Sequence, residues 1–308
     1  MQAPPNIACP CCGQEKYKLV YSGITSIYSD RPCELFRCLE CGNVITWPLI
    51  AAHELEQIYT LTYLYPVHHL ARGEKKFRAK ELAKFVRREF SPSKSTSVLE
   101  IGCMYGDLLL ELNADYAVRG IDIGKDAVAF CKQKGLDVDL IPIETFLEKN
   151  HPPFDLVILS HVLEHLLDPA DTLKKIRSLL KPGGKVLILV PNQESFCRNV
   201  FGRYWGWWQV PVHINHFSRK AMRRLSGQTG FDFEAVRFRG GDSLMLLLNF
   251  VNLFGFRSKQ SEPGFFQKFI IRIFTTIFRY WYFIGNEEMG VLLGSQKKDF
   301  SDGKGTPC

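Results

Sequence analysis

From Ser97 onward, short apolar runs alternate with longer segments of helical rhythm. The runs SVLEI (97–101), AVRGI (117–121), DLVIL (155–159) and KVLILV (185–190) are rich in branched residues and bounded by Gly, Pro or charge. That alternation predicts βαβ units and a doubly wound α/β fold with a mostly parallel sheet. Upstream, residues 51–90 carry helical periodicity with many charges. Downstream, FDFEAVRF (231–238) and GVLLGSQ (290–296) read as two more strands. The division expected is a Cys-rich module at 1–47, a helical connector at 48–94, and the α/β domain at 95–298. An apolar insert at 243–285 interrupts that domain, and 299–308 form a polar tail.

Composition is that of a globular chain, 46% hydrophobic and 23% charged, so global disorder is excluded. The formal charge of +7 is concentrated in part between Arg72 and Lys94, where nine Lys/Arg meet three Glu. A solvated helix face is the simpler reading of that stretch, and an anionic partner the alternative. No signal-peptide pattern and no apolar run of about 18 residues appears, so a cytoplasmic chain without a membrane span is expected. Six of the ten cysteines lie before residue 42. Cys9-Pro-Cys-Cys12-Gly13 and Cys38-Leu-Glu-Cys41-Gly42 form two CxxC knuckles, each closed by a glycine that permits positive φ. Two such knuckles supply four thiolates, so Cys9, Cys12, Cys38 and Cys41 are expected to hold a structural zinc in a ribbon-like module, with Cys11 and Cys33 left over.

The stretch Val98-Leu-Glu-Ile-Gly-Cys-Met-Tyr-Gly-Asp107 runs from a strand through a Gly-bearing turn into a helix. Eighteen residues after Gly102 comes Gly120-Ile-Asp122, a second strand ending in an acid suited to ribose hydroxyls. A dinucleotide would want glycines at 102, 104 and 107, and 104 and 107 are Met and Asp. Asp107 at the helix N-terminus would also repel a pyrophosphate. S-adenosylmethionine carries a sulfonium cation and no phosphate, and Glu100, Asp107 and Asp122 suit a cation.

With these residues in view, VLEIGCMYGDLL (98–109) resembles motif I of class I S-adenosylmethionine-dependent methyltransferases. GIDI (120–123) resembles the acid motif that follows it. PFDLVILSHVLEHLLDP (153–169) is similar to motif IV of ubiquinone-type and related small-molecule methyltransferases, and LLKPGGKVLILVPN (179–192) to the helix–turn–strand after it. The resemblance spans residues 95 to about 238, with a weaker match at 286–297. It implies a seven-stranded Rossmann-like sheet. It implies Gly102, Cys103 and Gly106 lining the cofactor, Glu100 near its amino-acid end, Asp122 on the ribose, Ile123 beside the adenine, Glu144 near the adenine amine, and Ser160 and His161 closing the pocket. Met104 departs from the family's middle glycine, which bears on cofactor affinity.

Out of context, His161-Val-Leu-Glu-His165 is an inverted metalloprotease string, with polar residues at i, i+3 and i+4 on one helical face. Its place directly after a buried strand argues instead for loop orientation. FGRYWGWWQVPVHINHFS (201–218) resembles a P-x-H-x-x-H-F-S segment of bacterial sugar and cell-envelope methyltransferases. Trp205, Trp207 and Trp208 beside His213 and His216 suit a pocket for a flat or sugar-like acceptor. Together with His161, these histidines are the candidate bases. The expected reaction is methyl transfer to a small-molecule, sugar or lipid-linked acceptor, at oxygen. The alternatives are a sugar C-methyltransferase and an RNA-binding or non-catalytic module; nucleic acid is the less expected partner, since Ser160-His-Val-Leu163 stands where base N-methyltransferases carry Asn/Asp-Pro-Pro-aromatic. On a helical wheel Lys268, Arg272, Thr275 and Arg279 form one stripe in the apolar insert. Burial or a homodimer through 243–285 is the expectation there, with peripheral membrane contact the alternative.

Overall fold

The structure, a computed structural model, describes residues 6–51, 54, 55, 58, 72–236, 243–254, 269, 273, 274, 277 and 286–295. Strands β1 (Tyr17–Ser26), β2 (Ser29–Cys38) and β3 (Val44–Trp47) precede helix α1 (Arg72–Glu89). Alternation then sets in: β4 (Ser93–Ile101), α2 (Asp107–Leu112), β5 (Tyr116–Asp122), α3 (Lys125–Gln133), β6 (Val138–Leu140), α4 (Ile143–Leu147), β7 (Phe154–Ser160), α5 (Pro169–Ser178) and β8 (Leu180–Pro191). The remainder comprises α6 (Phe196–Phe201), β9 (Asn215–His216), α7 (Arg219–Gln228), β10 (Phe231–Val236), α8 (Ser243–Leu253) and β11 (Glu288–Ser295).

Seven strands form one sheet in the order β10-β11-β8-β7-β4-β5-β6. Six run in the same direction, and β11 alone inserts antiparallel, between β8 and β10. The expected doubly wound, mostly parallel seven-stranded sheet is therefore the fold found. Its strand side chains alternate strictly, because successive residues face opposite sides of a pleated strand. Leu99, Ile101, Val157, Leu159, Val186 and Ile188 join Leu173 and Ile176 of α5 on one side. Val98, Leu156, Ile158, Leu187 and Leu189 meet α1 on the other. The α1 contacts, Ala79, Leu82, Ala83 and Val86, follow the i, i+3, i+4, i+7 rhythm of one helical face. Helix α5 starts at Pro169 because Asp168 accepts a hydrogen bond from the Asp171 amide at 2.8 Å. Ser218 caps α7 in the same way through the Ala221 amide.

A second, antiparallel sheet runs β1-β2-β3-β9. Its fourth strand belongs to the 201–218 segment, pairing Val44 with His216 and Ile45 with Asn215. Thr46 Oγ1 donates to the His213 carbonyl, Ser218 Oγ to the Cys41 carbonyl, and Gln193 Nε2 to the Gly42 carbonyl. The N-terminal strands are thus sewn onto the larger domain by paired backbone. Most of the expected insert, the stripe residues Lys268, Arg272, Thr275 and Arg279, and the 299–308 tail lie outside the described residues.

Candidate functional site

In open α/β sheets the carboxyl ends of the strands form the ligand crevice. The turn after β4 is built for close approach. Gly102 has φ 72°, and a Cβ there would come within 2.5 Å of Val162 Cγ2. At Gly106 a Cβ would meet Leu136 and Cys131. Cys103 is buried against Cys131 and Gly120. Asp122, at the end of β5, accepts hydrogen bonds from the Met104 amide at 2.7 Å and the Gly124 amide at 2.8 Å. It ties together the two loops that frame the crevice. Glu100 is buried, and its Oε2 has no hydrogen-bond partner. Burial, with Asp122 and Asp107 nearby, pushes its carboxyl well above the usual range. A buried carboxyl with an unmet oxygen and acidic neighbours fits a cationic ligand group. Ile123 and Glu144 are exposed beyond β5 and on α4, and Ser160 is half-buried at the end of β7.

His161 follows Ser160 with φ 56°, a left-handed conformation that turns the chain sharply at the strand end. Its Nδ1 lies 3.2 Å from Glu164 Oε1, and its Nε2 lies 2.8 Å from Glu288 Oε1 and 3.0 Å from Arg78 Nη2. Arg78 also pairs with Glu288. Trp207 stacks on the imidazole at 5.0 Å, nearly parallel. Both ring nitrogens are therefore engaged, Nδ1 by Glu164 and Nε2 by Glu288 and Arg78, which fixes the orientation of the ring. Burial pushes Glu164 up to about 7. Arg78 and Glu288 escaped the sequence reading. They come from α1 and β11, more than 200 residues apart, and the only local hint was an acid pair, Glu287-Glu288, opening an apolar strand.

The string from His161 to His165 is not a helical face. Only Leu163–His165 forms a single 3-10 turn, so the three polar side chains diverge from the i, i+3, i+4 geometry. Glu164, His165 and His213 nonetheless bring one ligand atom each within 4.8 Å of one another, a set that could hold a metal ion. His213 and His216 are buried, not presented at the mouth of the crevice. His213 Nδ1 donates to the Trp207 carbonyl, and His216 Nε2 contacts Thr46 Oγ1 across the seam between the sheets. Burial holds His216 down at about 3 and His213 well below its ordinary value, with neighbouring histidines adding to both. Of the three tryptophans, Trp207 alone stacks on His161. Trp205 and Trp208 pack into a core shared by Ile24, Leu35, Val44 and the first residues of α8. The expected aromatic pocket is in these two positions a packing core, because the N-terminal sheet covers them.

The four knuckle cysteines converge. Cys9 and Cys41 Sγ lie 3.5 Å apart, as do Cys12 and Cys38, and all four fall within 4.8 Å. A tetrahedral zinc with bonds of about 2.3 Å places its sulfurs about 3.8 Å apart, so the set fits that ion. Each knuckle closes at a positive-φ glycine, Gly13 and Gly42, whose amides donate to Cys9 and Cys38 carbonyls. Cys11 and Cys33 are not in the set, and burial pushes both thiols up.

Four of the nine basic residues of the stretch 72–94 form ion pairs within the domain. Arg78 pairs with Glu288, Lys84 with Glu81, Arg87 with Asp115, and Arg88 with Glu89.

Residues 75–236 match the family described as "Methyltransferase domain". A Ubiquinone biosynthesis O-methyltransferase of Caulobacter vibrioides is 35% identical over 126 residues, 38% of this chain and 50% of the relative. One from Alkalilimnicola ehrlichii is 27% identical over 164 residues, 46% of this chain and 66% of the relative. The chain therefore spans about half to two thirds of the length of these curated relatives. Among solved structures, the [4+2]-cyclase SpnF covers 80% of this chain and 97% of its own at 15% identity, with a TM-score of 0.52, a likeness of fold. The match over more than half its length, on a seven-stranded sheet with the acids and glycines at the expected strand ends, makes this chain a member of the class I S-adenosylmethionine-dependent methyltransferases.

Proposed function

We propose that this protein transfers a methyl group from S-adenosylmethionine to an oxygen of a small-molecule acceptor. The observation that carries the reading is the convergence of Glu100, Asp107 and Asp122 at the carboxyl ends of β4 and β5, beside the glycine turn. The relatives named Ubiquinone biosynthesis O-methyltransferase favour oxygen as the acceptor atom and a small molecule as its bearer. The bound cofactor supplies an electrophilic methyl on a sulfonium. In this reading Glu100 faces the cationic end of the donor and Asp122 its ribose, while Gly102 and Gly106 leave room for it. Ile123 and Glu144 flank the adenine, and Ser160 closes the pocket. In this reading the acceptor hydroxyl reaches His161 Nε2 in place of that nitrogen's contacts with Arg78 and Glu288, and His161 takes the hydroxyl proton as the oxygen–methyl bond forms and the sulfur–methyl bond breaks, then releases it to water. Glu164 at Nδ1 holds the ring in position, and Trp207 keeps it flat.

The cysteine set holds zinc as a structural ion in this reading, with no part in the reaction. The cysteine-rich metal-binding pattern favours a cytoplasmic site of action in this reading. No helix among the described residues is long and apolar enough to cross a membrane.

Calorimetry with S-adenosylmethionine and transfer of a labelled methyl group to a panel of phenolic and sugar hydroxyl acceptors test the proposal together. Wild type binds the cofactor and Asp122→Ala loses binding at least tenfold. His161→Gln binds normally but turns over about 10² times more slowly. Absence of cofactor binding by the wild type would falsify the reading, whatever acceptor is tried.

A further inference from the structure

Arg78 meets His161 at the nitrogen the proposed reaction uses. Its Nη2 lies 3.0 Å from His161 Nε2, and the same Nη2 pairs with Glu288 Oε1, which is itself 2.8 Å from Nε2. A guanidinium can only donate, so Nε2 accepts in that contact and carries a lone pair. The ring proton then sits on Nδ1, facing Glu164 Oε1. A lone pair and a carboxylate oxygen this close repel each other, and the two hydrogens of Nη2, one for each acceptor, offset that repulsion. Exposure separates the three groups. The Glu288 side chain is 1% exposed, while those of Arg78 and His161 are 17% and 22% exposed. Glu288 is held by the register of β11, opposite Pro191 of β8. Arg78 stands beside Ala79, the first buried contact of α1, so its stem leaves the helix at the edge of the packed face. A ligand in the crevice therefore reaches the guanidinium and the imidazole, and not the carboxylate behind them.

An acceptor oxygen that enters beside Nε2 takes the place to which Arg78 now donates. As its O–H bond breaks, the proton goes to Nε2 and negative charge grows on the oxygen. The oxygen's electron pair forms the bond to the methyl carbon, and the pair of the carbon–sulfur bond returns to sulfur. A guanidinium stays protonated throughout and has five N–H donors in a rigid fork, so it can keep its hold on Glu288 while donating to the oxygen. We propose that Arg78 is a catalytic residue, donating to the acceptor oxygen and stabilising the charge that develops there, and that the site prefers acceptors able to bind as an oxyanion, phenols above alcohols. This rests on the methyl-transfer reading with His161 as base, and adds to it the group that receives the charge His161 creates.

The test uses 4-nitrophenol, whose ionised form is read directly from its visible absorbance without turnover. It is titrated into the full-length, metal-loaded protein, with and without the demethylated product S-adenosylhomocysteine. Wild type is expected to bind the phenolate at least tenfold tighter than the neutral phenol. Arg78→Gln removes that preference, whereas His161→Gln keeps it, because an oxygen already ionised has no proton to give up. An Arg78 that served only to orient the imidazole would make the two variants behave alike. Arg78→Lys keeps the charge and a partner for Glu288, and falls between wild type and Arg78→Gln. Calorimetry with S-adenosylmethionine on the same proteins separates the two claims: a failed methyltransferase reading shows as no cofactor binding, and a failed role for Arg78 as no phenolate preference with cofactor binding intact. The role is overturned if wild type binds neither form of the probe or both equally. It is also overturned if Arg78→Gln keeps the preference, or if Arg78→Lys does no better than Arg78→Gln.

Discussion

Met104 occupies a backbone conformation that L-residues avoid, with φ 47°. The glycine expected at this place in the family's turn answers to that geometry, and a side chain in the left-handed region costs about 1–2 kcal/mol. The Met104 amide donates to Asp122, so the bond that ties the crevice loops holds the turn in its strained form. Met104→Gly is therefore expected to raise the thermal midpoint, by the equivalent of about 1 kcal/mol once the added backbone entropy of glycine is subtracted. A midpoint that stays level or falls would mean the methionine packs more favourably than its backbone conformation costs. Residues of this turn were legible in the sequence because their chemistry is local: a strand, a turn and an acid eighteen positions on. Glu288 was not, since what makes it a partner of His161 is a strand pairing set by the whole sheet, and no spacing along the chain encodes it.

Strand β9 is two residues long, yet it decides what the 201–218 segment does. The sequence offered two histidines among tryptophans, a pattern equally suited to a pocket and to a core. The pairing of Val44 with His216, and the Thr46 contacts with His213 and His216, resolve it toward a seam for most of those side chains. The zinc knuckles lie at the far side of the same seam, through the Ser218–Cys41 and Gln193–Gly42 hydrogen bonds. Removing metal with a strong chelator is expected to loosen β3 from β9 and expose Trp205 and Trp208, which pack on Ile24, Leu35 and Val44. Tryptophan emission should shift red while affinity for S-adenosylmethionine stays within about twofold, because the hydrogen bonds from the Met104 and Gly124 amides to Asp122 tie the crevice loops together within the larger domain. An unchanged emission spectrum in metal-free protein would show that the ribbon keeps its place without the ion. The βαβ alternation itself was fully readable, since apolar runs bounded by glycine and charge survive any context. Strand β6, three residues with one buried side chain, had too little pattern to be read.

For the molecule as a whole, acid and base stability reflects two opposed sets of buried groups. Burial keeps His165, His213 and His216 neutral below their ordinary value. Their unfolded forms take up protons that the folded forms refuse, so stability falls as pH drops below about 6.5. Glu164 acts the other way. Its folded carboxyl titrates at about 7, so the stability its proton brings is complete below its ordinary value of 4.5 and is lost as pH rises from there to about 7. Glu100 leans in the same direction. Between pH 4.5 and 6.5 the two sets partly cancel, and the thermal midpoint should change little. In Glu164→Gln one opposing group is gone, and stability should rise with pH across that window more steeply by about 1.4 kcal/mol per pH unit. A slope identical to wild type would show that Glu164 is already ionised in the folded protein at pH 5.

The sheet's connectivity also sets an order of events during synthesis. Strand β11 lies between β8 and β10, although it leaves the ribosome more than fifty residues after β10. A nascent chain that has just finished β10 has no neighbour for it and leaves the β8 edge bare. His161 at that moment lacks Glu288, its partner across the crevice. The proposed reaction centre is therefore completed only when one of the last described segments arrives and slots into a gap the earlier strands have held open, which makes any truncation before residue 288 a loss of both the sheet's continuity and the site at once.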